Sequence, residues 1–275
     1  MNPILFKLPV IGIPIYAYGA MLATGFLTAL LFAQWRAKKE GVGADLITDI
    51  GLIAVIGGIV GARALFVFQN WGEFKERLFS VFAVWEGGLV FYGGFIVATI
   101  AIVFFLRYKK QNVLKTADLL APAIPLAGAF TRIGCFLNGC CWGAPGDVPW
   151  AVRFPPGSPA FKQHVARNLI PDDATCSLPV HPTQLYSSLD FLVIFVLLLV
   201  VTKYRKVYGQ PFFALLFFYS IGRFTIEFFR GDNPAWWPAV SDTLTISQYV
   251  SIMLFTASIA AFVALKRFGT KVNKR

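Results

Sequence analysis

Acidic side chains are scarce in this chain. Asp and Glu number 14 among 275 residues, against 25 Lys and Arg, and there are only two His, three Met and four Cys. Charged residues make up 14% of the sequence, where a soluble domain carries roughly 25%, so a water-covered globular surface is excluded. The cysteines and histidines show no paired metal-ligand spacing, and no metal or cofactor is expected. An internal repeat is also missing. No basic run or small-residue cleavage site precedes the first apolar stretch, which is therefore expected to be retained.

What is present is hydrophobic: 57% of residues, with a mean hydropathy of +0.64. Seven stretches are long and apolar enough to span a bilayer, at about 14–35, 47–69, 88–107, 117–137, 183–202, 209–229 and 246–265. The expected fold is an all-α integral membrane protein: one transmembrane domain over 1–275, a bundle of seven helices. Residues 143–182, rich in Pro and too short for a separate core, are expected to form a small extracytoplasmic cap. Gly57, Gly58 and Gly61 give the second span a small face suited to close packing. The segment 70–86 mixes aromatics with charges and is expected to lie along the membrane interface.

The net charge of +11 points to topology, not to nucleic acid. Arg36, Lys38 and Lys39 follow the first span, Arg107, Lys109 and Lys110 the third, Lys203, Arg205 and Lys206 the fifth, and Lys266 and Arg267 the seventh. Every second connection is basic, the pattern of an extracytoplasmic N-terminus and a cytoplasmic C-terminus. The alternate connections carry acids such as Glu73, Glu76, Asp172 and Asp173. Trp71, Trp85, Trp142, Trp150, Trp236 and Trp237 fall on that same outer side.

With odd spans running inward and even spans outward, the polar intramembrane residues share one depth. Tyr16 and Tyr18 begin span one, Arg63 lies in the outer half of span two, and Tyr92 begins span three. Arg132 and Asn138 end span four, His181, Gln184, Tyr186 and Asp190 begin span five, and Tyr219, Arg223, Glu227 and Arg230 end span six along one helical face. A guanidinium stays charged and in hydrocarbon needs an anion, a polar cavity or the interface. Arg63, Arg132 and Arg223 outnumber the acids at their depth, chiefly Glu227 and Asp190, which favours a lipid-phosphate site, with internal ion pairs or snorkelling as the alternative. Tyr18 and Tyr92 also suit interfacial anchoring. His181, at a helix start, suits capping as well as catalysis. Cys135, Cys140, Cys141 and Cys176 are read as packed thiols, with a bridge from Cys176 to Cys140 or Cys141, or a nucleophilic role, as alternatives.

Five segments in order carry a resemblance. Arg132-Ile-Gly-Cys-Phe-Leu-Asn-Gly-Cys-Cys-Trp-Gly resembles the signature of bacterial prolipoprotein diacylglyceryl transferase. Tyr16-Ala-Tyr18-Gly19, Gly87-Gly88-Leu-Val-Phe-Tyr92-Gly93-Gly94, His181-Pro-Thr-Gln184-Leu-Tyr186 and Tyr219-Ser-Ile-Gly-Arg223-Phe-Thr-Ile-Glu227-Phe-Phe-Arg230 agree with it. The resemblance implies a seven-span enzyme of the bacterial inner membrane. It would move the diacylglyceryl group of phosphatidylglycerol onto the lipobox cysteine of a preprolipoprotein, forming a thioether and releasing glycerol phosphate. It implies catalytic roles for Arg132, Arg223, Tyr92 and Tyr18. Substrate contacts are expected from Arg132, Arg223, Asn138, Gly143, Tyr219, Glu227, Arg63, His181 and Gln184. Membrane lipids and the signal peptide are the implied partners. The chain departs from the pattern at Tyr92, where a branch of the family has His, at Cys135, often Asn, at Cys140, commonly acidic, and at Ser187, usually Glu. A lipid-binding or transporting protein using the same arginines, or a paralogue with altered lipid or acceptor preference, remains the alternative.

Overall fold

A computed structural model describes residues 4–7, 14–75, 78–232 and 244–272; Glu76, Trp236 and Trp237 lie outside the described residues. Two short strands, β1 (Ile4–Lys7) and β2 (Pro14–Tyr16), pair antiparallel ahead of the first helix. The helices are α1 (Ala17–Lys39), α2 (Ala44–Gln69), the single turn α3 (Trp71–Phe74), α4 (Phe91–Tyr108), α5 (Val113–Leu120), α6 (Ala123–Asn138), α7 (Pro159–Ala166), α8 (Thr183–Tyr204), α9 (Gln210–Glu227) and α10 (Ile246–Phe268).

Six helical stretches among the described residues are long and apolar enough to cross a membrane: α1, α2, α4, α8, α10 and the run Val113–Asn138, which a turn at 121–122 divides into α5 and α6. Pro122 has no N–H to give a continuing helix, which accounts for the break. Large apolar side chains such as Leu31 and Ile56 stand exposed on these helices, as a hydrocarbon solvent requires. The seventh expected span coincides with α9. It is helical over 18 residues but carries Gln210, Arg223 and Glu227, and it is not among the six.

The chain divides into two compact units, Leu30–Thr116 and the combination of Met1–Ala29 with Ala117–Arg275. In the Leu30–Thr116 unit, α2 packs on α4. The expected small face of α2 is the contact. A Cβ at Gly57 would lie 3.1 Å from the Ala98 Cα, and one at Gly61 would run into the Gly93 carbonyl. Glycine lets the two backbones approach where apolar burial supplies little drive. Beyond α3, two 3-10 turns (Leu78–Phe82 and Val84–Glu86) expose Phe79, Phe82 and Trp85, the character expected of an interfacial segment.

In the larger unit, α8 packs against both α6 and α9, and α9 against α10. Ala121, Ile194, Leu198, Ala214 and Leu215 form the buried apolar cluster there. Asp118, fully buried, accepts the Gly209 and Phe212 backbone N–H groups at 2.7 and 3.1 Å, satisfying otherwise orphaned donors at the start of α9. The segment 143–182 builds a smaller cluster from Phe154, Ala160 and Val180 around Trp142. Backbone bridges from Pro145 and Val152 to Val180 hold it, and Ser158 caps α7 through the Phe161 N–H.

Candidate active site

The C-terminal ends of α6 and α9 meet the N-terminal ends of α8 and α10 within the larger unit, bringing the sequence-selected residues of spans four to seven to one end. Helix α6 stops at Asn138 because Gly139 takes a left-handed conformation, φ 75°, and turns the chain back. The Cys140 N–H then reaches the Cys135 carbonyl at 3.1 Å. Cys141 is left-handed as well, φ 60°, without glycine's freedom. That conformation costs an L-residue roughly 1–2 kcal/mol, so neighbouring groups must hold it.

The start of α8 supplies those groups. Gln184 donates its Nε2 to the Cys140 carbonyl at 2.8 Å, and the Thr183 hydroxyl donates to the Cys141 carbonyl at 2.8 Å. The backbone of His181 exchanges hydrogen bonds with this turn: Gly143 N–H to the His181 carbonyl at 2.9 Å, and His181 N–H to the Ala144 carbonyl at 3.1 Å. A Cβ at Gly143 would stand 2.6 Å from both the His181 and Phe229 carbonyl oxygens, so glycine alone fits where three chain segments converge. The His181 ring nitrogen Nδ1 lies 3.1 Å from the Tyr186 hydroxyl, which accepts the Trp150 indole N–H at 2.6 Å. The His-Pro-Thr-Gln motif thus serves as a clamp on the Asn-Gly-Cys-Cys turn.

The arginines separate by what they bind. Arg63, in the Leu30–Thr116 unit and 6% exposed, donates to the carbonyls of Ser80, Val81 (2.8 Å) and Gly87 (2.7 Å). Its guanidinium also lies over Phe66 and Phe74, so the geometry gives it the work of shaping the segment after α3. Arg223 pairs with Glu227 and donates to the Ser247 hydroxyl at 2.8 Å. Arg230 grips Asp232 through Nε at 2.7 Å and Nη2 at 2.8 Å. Burial works against the charge of Arg230, but Asp232, Cys141 and Glu227 together outweigh it and hold the guanidinium pKa above its ordinary value. Burial raises that of Asp232 despite the attraction of Arg230. Arg132 is different. It lies half-buried in the last turns of α6 and makes no hydrogen bond or ion pair among the described residues; its field reaches Tyr18 and Cys141.

Tyr18 sits on α1 against α6, where a Cβ at Gly134 would be 3.4 Å from the Tyr18 Cα. Tyr219 stacks on Phe191, ring centroids 6.1 Å apart and 13° from parallel. Tyr92 occupies the first turn of α4 in the other unit, 60% exposed. All four cysteines are free, as packed thiols would be: Cys135, Cys140 and Cys141 group together, while Cys176 lies beside Arg153, 3.9 Å from Nη1.

Sequence reasoning passed over Asp232, Thr245 and Ser247. The pattern Thr245-x-x-Gln248 was a legible signal, since it forms a capping box that fixes the α10 terminus where Glu227 and Arg223 find their partners. Asp232 stands only two residues from its partner Arg230, and the turn after α9 brings the two side chains together.

The family described as prolipoprotein diacylglyceryl transferase matches residues 3–264. The chain is 37% identical over 264 residues, 96% of each sequence, to a Clostridium tetani protein named phosphatidylglycerol–prolipoprotein diacylglyceryl transferase. It is 32% identical over 263 residues, 95% of each, to Clostridium perfringens phosphatidylglycerol–prolipoprotein diacylglyceryl transferase 2. A Trichormus variabilis protein named phosphatidylglycerol–prolipoprotein diacylglyceryl transferase is 32% identical over 255 residues, 90% of this chain and 84% of its own length. Similarity that runs nearly end to end, through helices and turns alike, shows that this chain belongs to the prolipoprotein diacylglyceryl transferase family.

Proposed function

We propose that this protein transfers the diacylglyceryl group of phosphatidylglycerol to the lipobox cysteine thiol of a preprolipoprotein. The new bond is a thioether, and glycerol phosphate leaves. The observation that carries the reading beyond family membership is Arg132: a permanent cation in an apolar helix, with no anion of the protein beside it among the described residues. A lipid phosphate supplies that anion. Insertion of an arginine at a helix centre costs about 2.5–3.5 kcal/mol, less near an end, and a site evolved around the phosphate offsets it.

The substrate thiolate attacks the glycerol carbon that bears the phosphodiester; the C–O bond breaks as the C–S bond forms, and the electron pair leaves on phosphate. A thiol with a pKa near 8.5 needs only modest help to ionise, so stabilising the leaving charge is the larger task. Arg132 and Arg223 neutralise the phosphate, the preorganised electrostatic term that is often the largest in catalysis. Glu227, Ser247 and the α10 cap orient Arg223 for it. Asn138, Gly143, Tyr219, His181 and Gln184 support the lipid-binding end, the last two through the Cys140–Cys141 turn. Tyr18 stands in the field of Arg132. Tyr92 is assigned the orientation of the acceptor thiol on the sequence pattern, ahead of a base role. Arg63 acts through the segment it holds.

The working form is a single domain of seven spans in the bacterial inner membrane, α9 included, with residues 143–182 as the extracytoplasmic cap. Its N-terminus is extracytoplasmic and its C-terminus cytoplasmic, an orientation that the alternating basic connections support. Mass spectrometry of a lipobox peptide incubated with phosphatidylglycerol and the purified protein tests the assignment. A diacylglyceryl mass addition that Arg132→Ala abolishes supports transfer. Lipid retention without any adduct, under conditions where a related enzyme works, would leave a lipid-binding protein in its place.

A further inference from the structure

Three sulfur atoms meet in the turn that closes α6. Cys135, in the last helical turn and 6% exposed, and Cys140 and Cys141, just beyond it, place their Sγ atoms within 4.8 Å of one another. All are free thiols, and the proposed transfer chemistry uses none of them. The spacing Cys-x4-Cys-Cys gave no paired-ligand signal in the sequence. The grouping depends on two left-handed residues, Gly139 and Cys141, on either side of Cys140, that fold the chain back over the helix end.

We propose that Cys135, Cys140 and Cys141 form a binding site for one thiophilic cation, with zinc as the reference ion. Three thiolates at a Zn–S distance of about 2.3 Å stand roughly 3.8–4.0 Å apart, so the sulfurs need to close by no more than about an ångström. The backbone that carries two of them is already fixed. Gln184 and Thr183 hold the Cys140 and Cys141 carbonyls, each at 2.8 Å, so little ordering is left for the metal to drive. The charge also suits it. Three thiolates and a dication carry a net charge of −1, and the fields of Arg230 and Arg132 both reach Cys141. Three protein ligands leave the fourth tetrahedral position to water or an external thiol, the form of an open zinc site. The thiol protons pass to solvent on binding, so affinity rises with pH.

The whole protein, carrying no histidine tag and purified in detergent with its thiols reduced, is loaded with Zn²⁺, dialysed and assayed for metal. A parallel Co²⁺ sample reads sulfur ligation through its thiolate-to-metal charge-transfer absorption. One metal per chain, that absorption, and protection of the three thiols from alkylation are the expected results. Cys140→Ser is expected to weaken retention by more than the roughly 10–100-fold of a lost outer-shell partner, and Cys176→Ser to leave it unchanged. Thermal unfolding of metal-free Cys140→Ser beside the metal-free parent shows whether the variant folds, and Cys141→Ser serves as the second variant if it does not. Substoichiometric metal in the reduced parent overturns the site, as does equal retention by folded Cys140→Ser. So does a disulfide among the three whose reduction restores no uptake. None of these readouts depends on transferase activity.

Discussion

Arg223 and Glu227 are ion-paired one turn apart on α9, and the same carboxylate accepts the Thr245 hydroxyl at 2.9 Å from the start of α10. Glu227 is buried, whereas the Arg223 side chain keeps 21% of its surface accessible, so the acid is the anchored member and the base the one with a free face. Glu227→Ala is therefore expected to destabilise the protein toward the lower end of the roughly 3–5 kcal/mol seen when one partner of a buried pair is removed. Glu227→Gln, which still accepts from Thr245, should lose less. Denaturant unfolding in detergent checks the order, and a loss below about 1 kcal/mol for Glu227→Ala would place the pair among weak surface bridges.

Arg63→Met keeps the apolar stem but removes the donors that serve Ser80, Val81 and Gly87. Each carbonyl left unpaired away from water carries a penalty of about 1–3 kcal/mol, less where solvent can replace the donor. The expected outcome is faster proteolysis within 78–88 and lower stability, with Arg63→Lys recovering little because one ammonium cannot reproduce the fork. A selective rise in KM for phosphatidylglycerol with unchanged stability and unchanged proteolysis would instead identify Arg63 as a direct lipid ligand.

Tyr92→Phe deletes one hydroxyl from an exposed ring. Loss of a single positioning hydrogen bond is worth about 1 kcal/mol, so kcat/KM should fall by roughly five- to tenfold. A base role predicts a larger loss, on the order of 100-fold or more, together with removal of a limb from the pH–rate profile. Near-full activity would dismiss both roles.

His164 is expected to make the segment 143–182 sensitive to pH. It is buried against Trp142, and its Nδ1 accepts the Leu178 N–H at 3.3 Å, a bond only the neutral ring can make. Burial, with a smaller contribution from Arg167, holds its pKa below the ordinary 6.5. The unfolded chain therefore binds the proton first as pH falls through 6.5, and stability drops until the folded-state pKa is passed. The melting temperature is expected to decline between about pH 7 and 5, and His164→Gln is expected to flatten that slope. An unchanged slope in the variant would assign the pH response to other groups.

Much of the scaffold could be read from residue order alone. Hydropathy located the helices within a few residues, and Gly57 and Gly61 announced a close helix contact before α4 was known to supply it. Alternation of basic connections placed Arg132, His181 and Glu227 at a common depth, and the structure brings their helix ends together. α9 was the exception in character: its apolar run is real, but Arg223 and Glu227 sit inside it. Local patterning reports periodicity and charge, and it is silent on which polar groups become partners.

Arg132's presence in an apolar helix, the order of the motifs and the scarcity of acids to meet the arginines were settled by the sequence by itself, because composition and span length are one-dimensional properties. Only the tertiary structure decided that Arg63 is held by carbonyls, that Arg223 and Arg230 have acids, and that Arg132 has none among the described residues. It also decided that Gln184 and Thr183 pin the Cys140–Cys141 turn and that three sulfurs converge there. The Arg63 bonds and the Gln184 and Thr183 bonds join residues tens of positions apart, while the nearer groupings of Arg223 with Glu227, Arg230 with Asp232 and the three cysteines depend on side-chain placement and left-handed turns that residue order does not set.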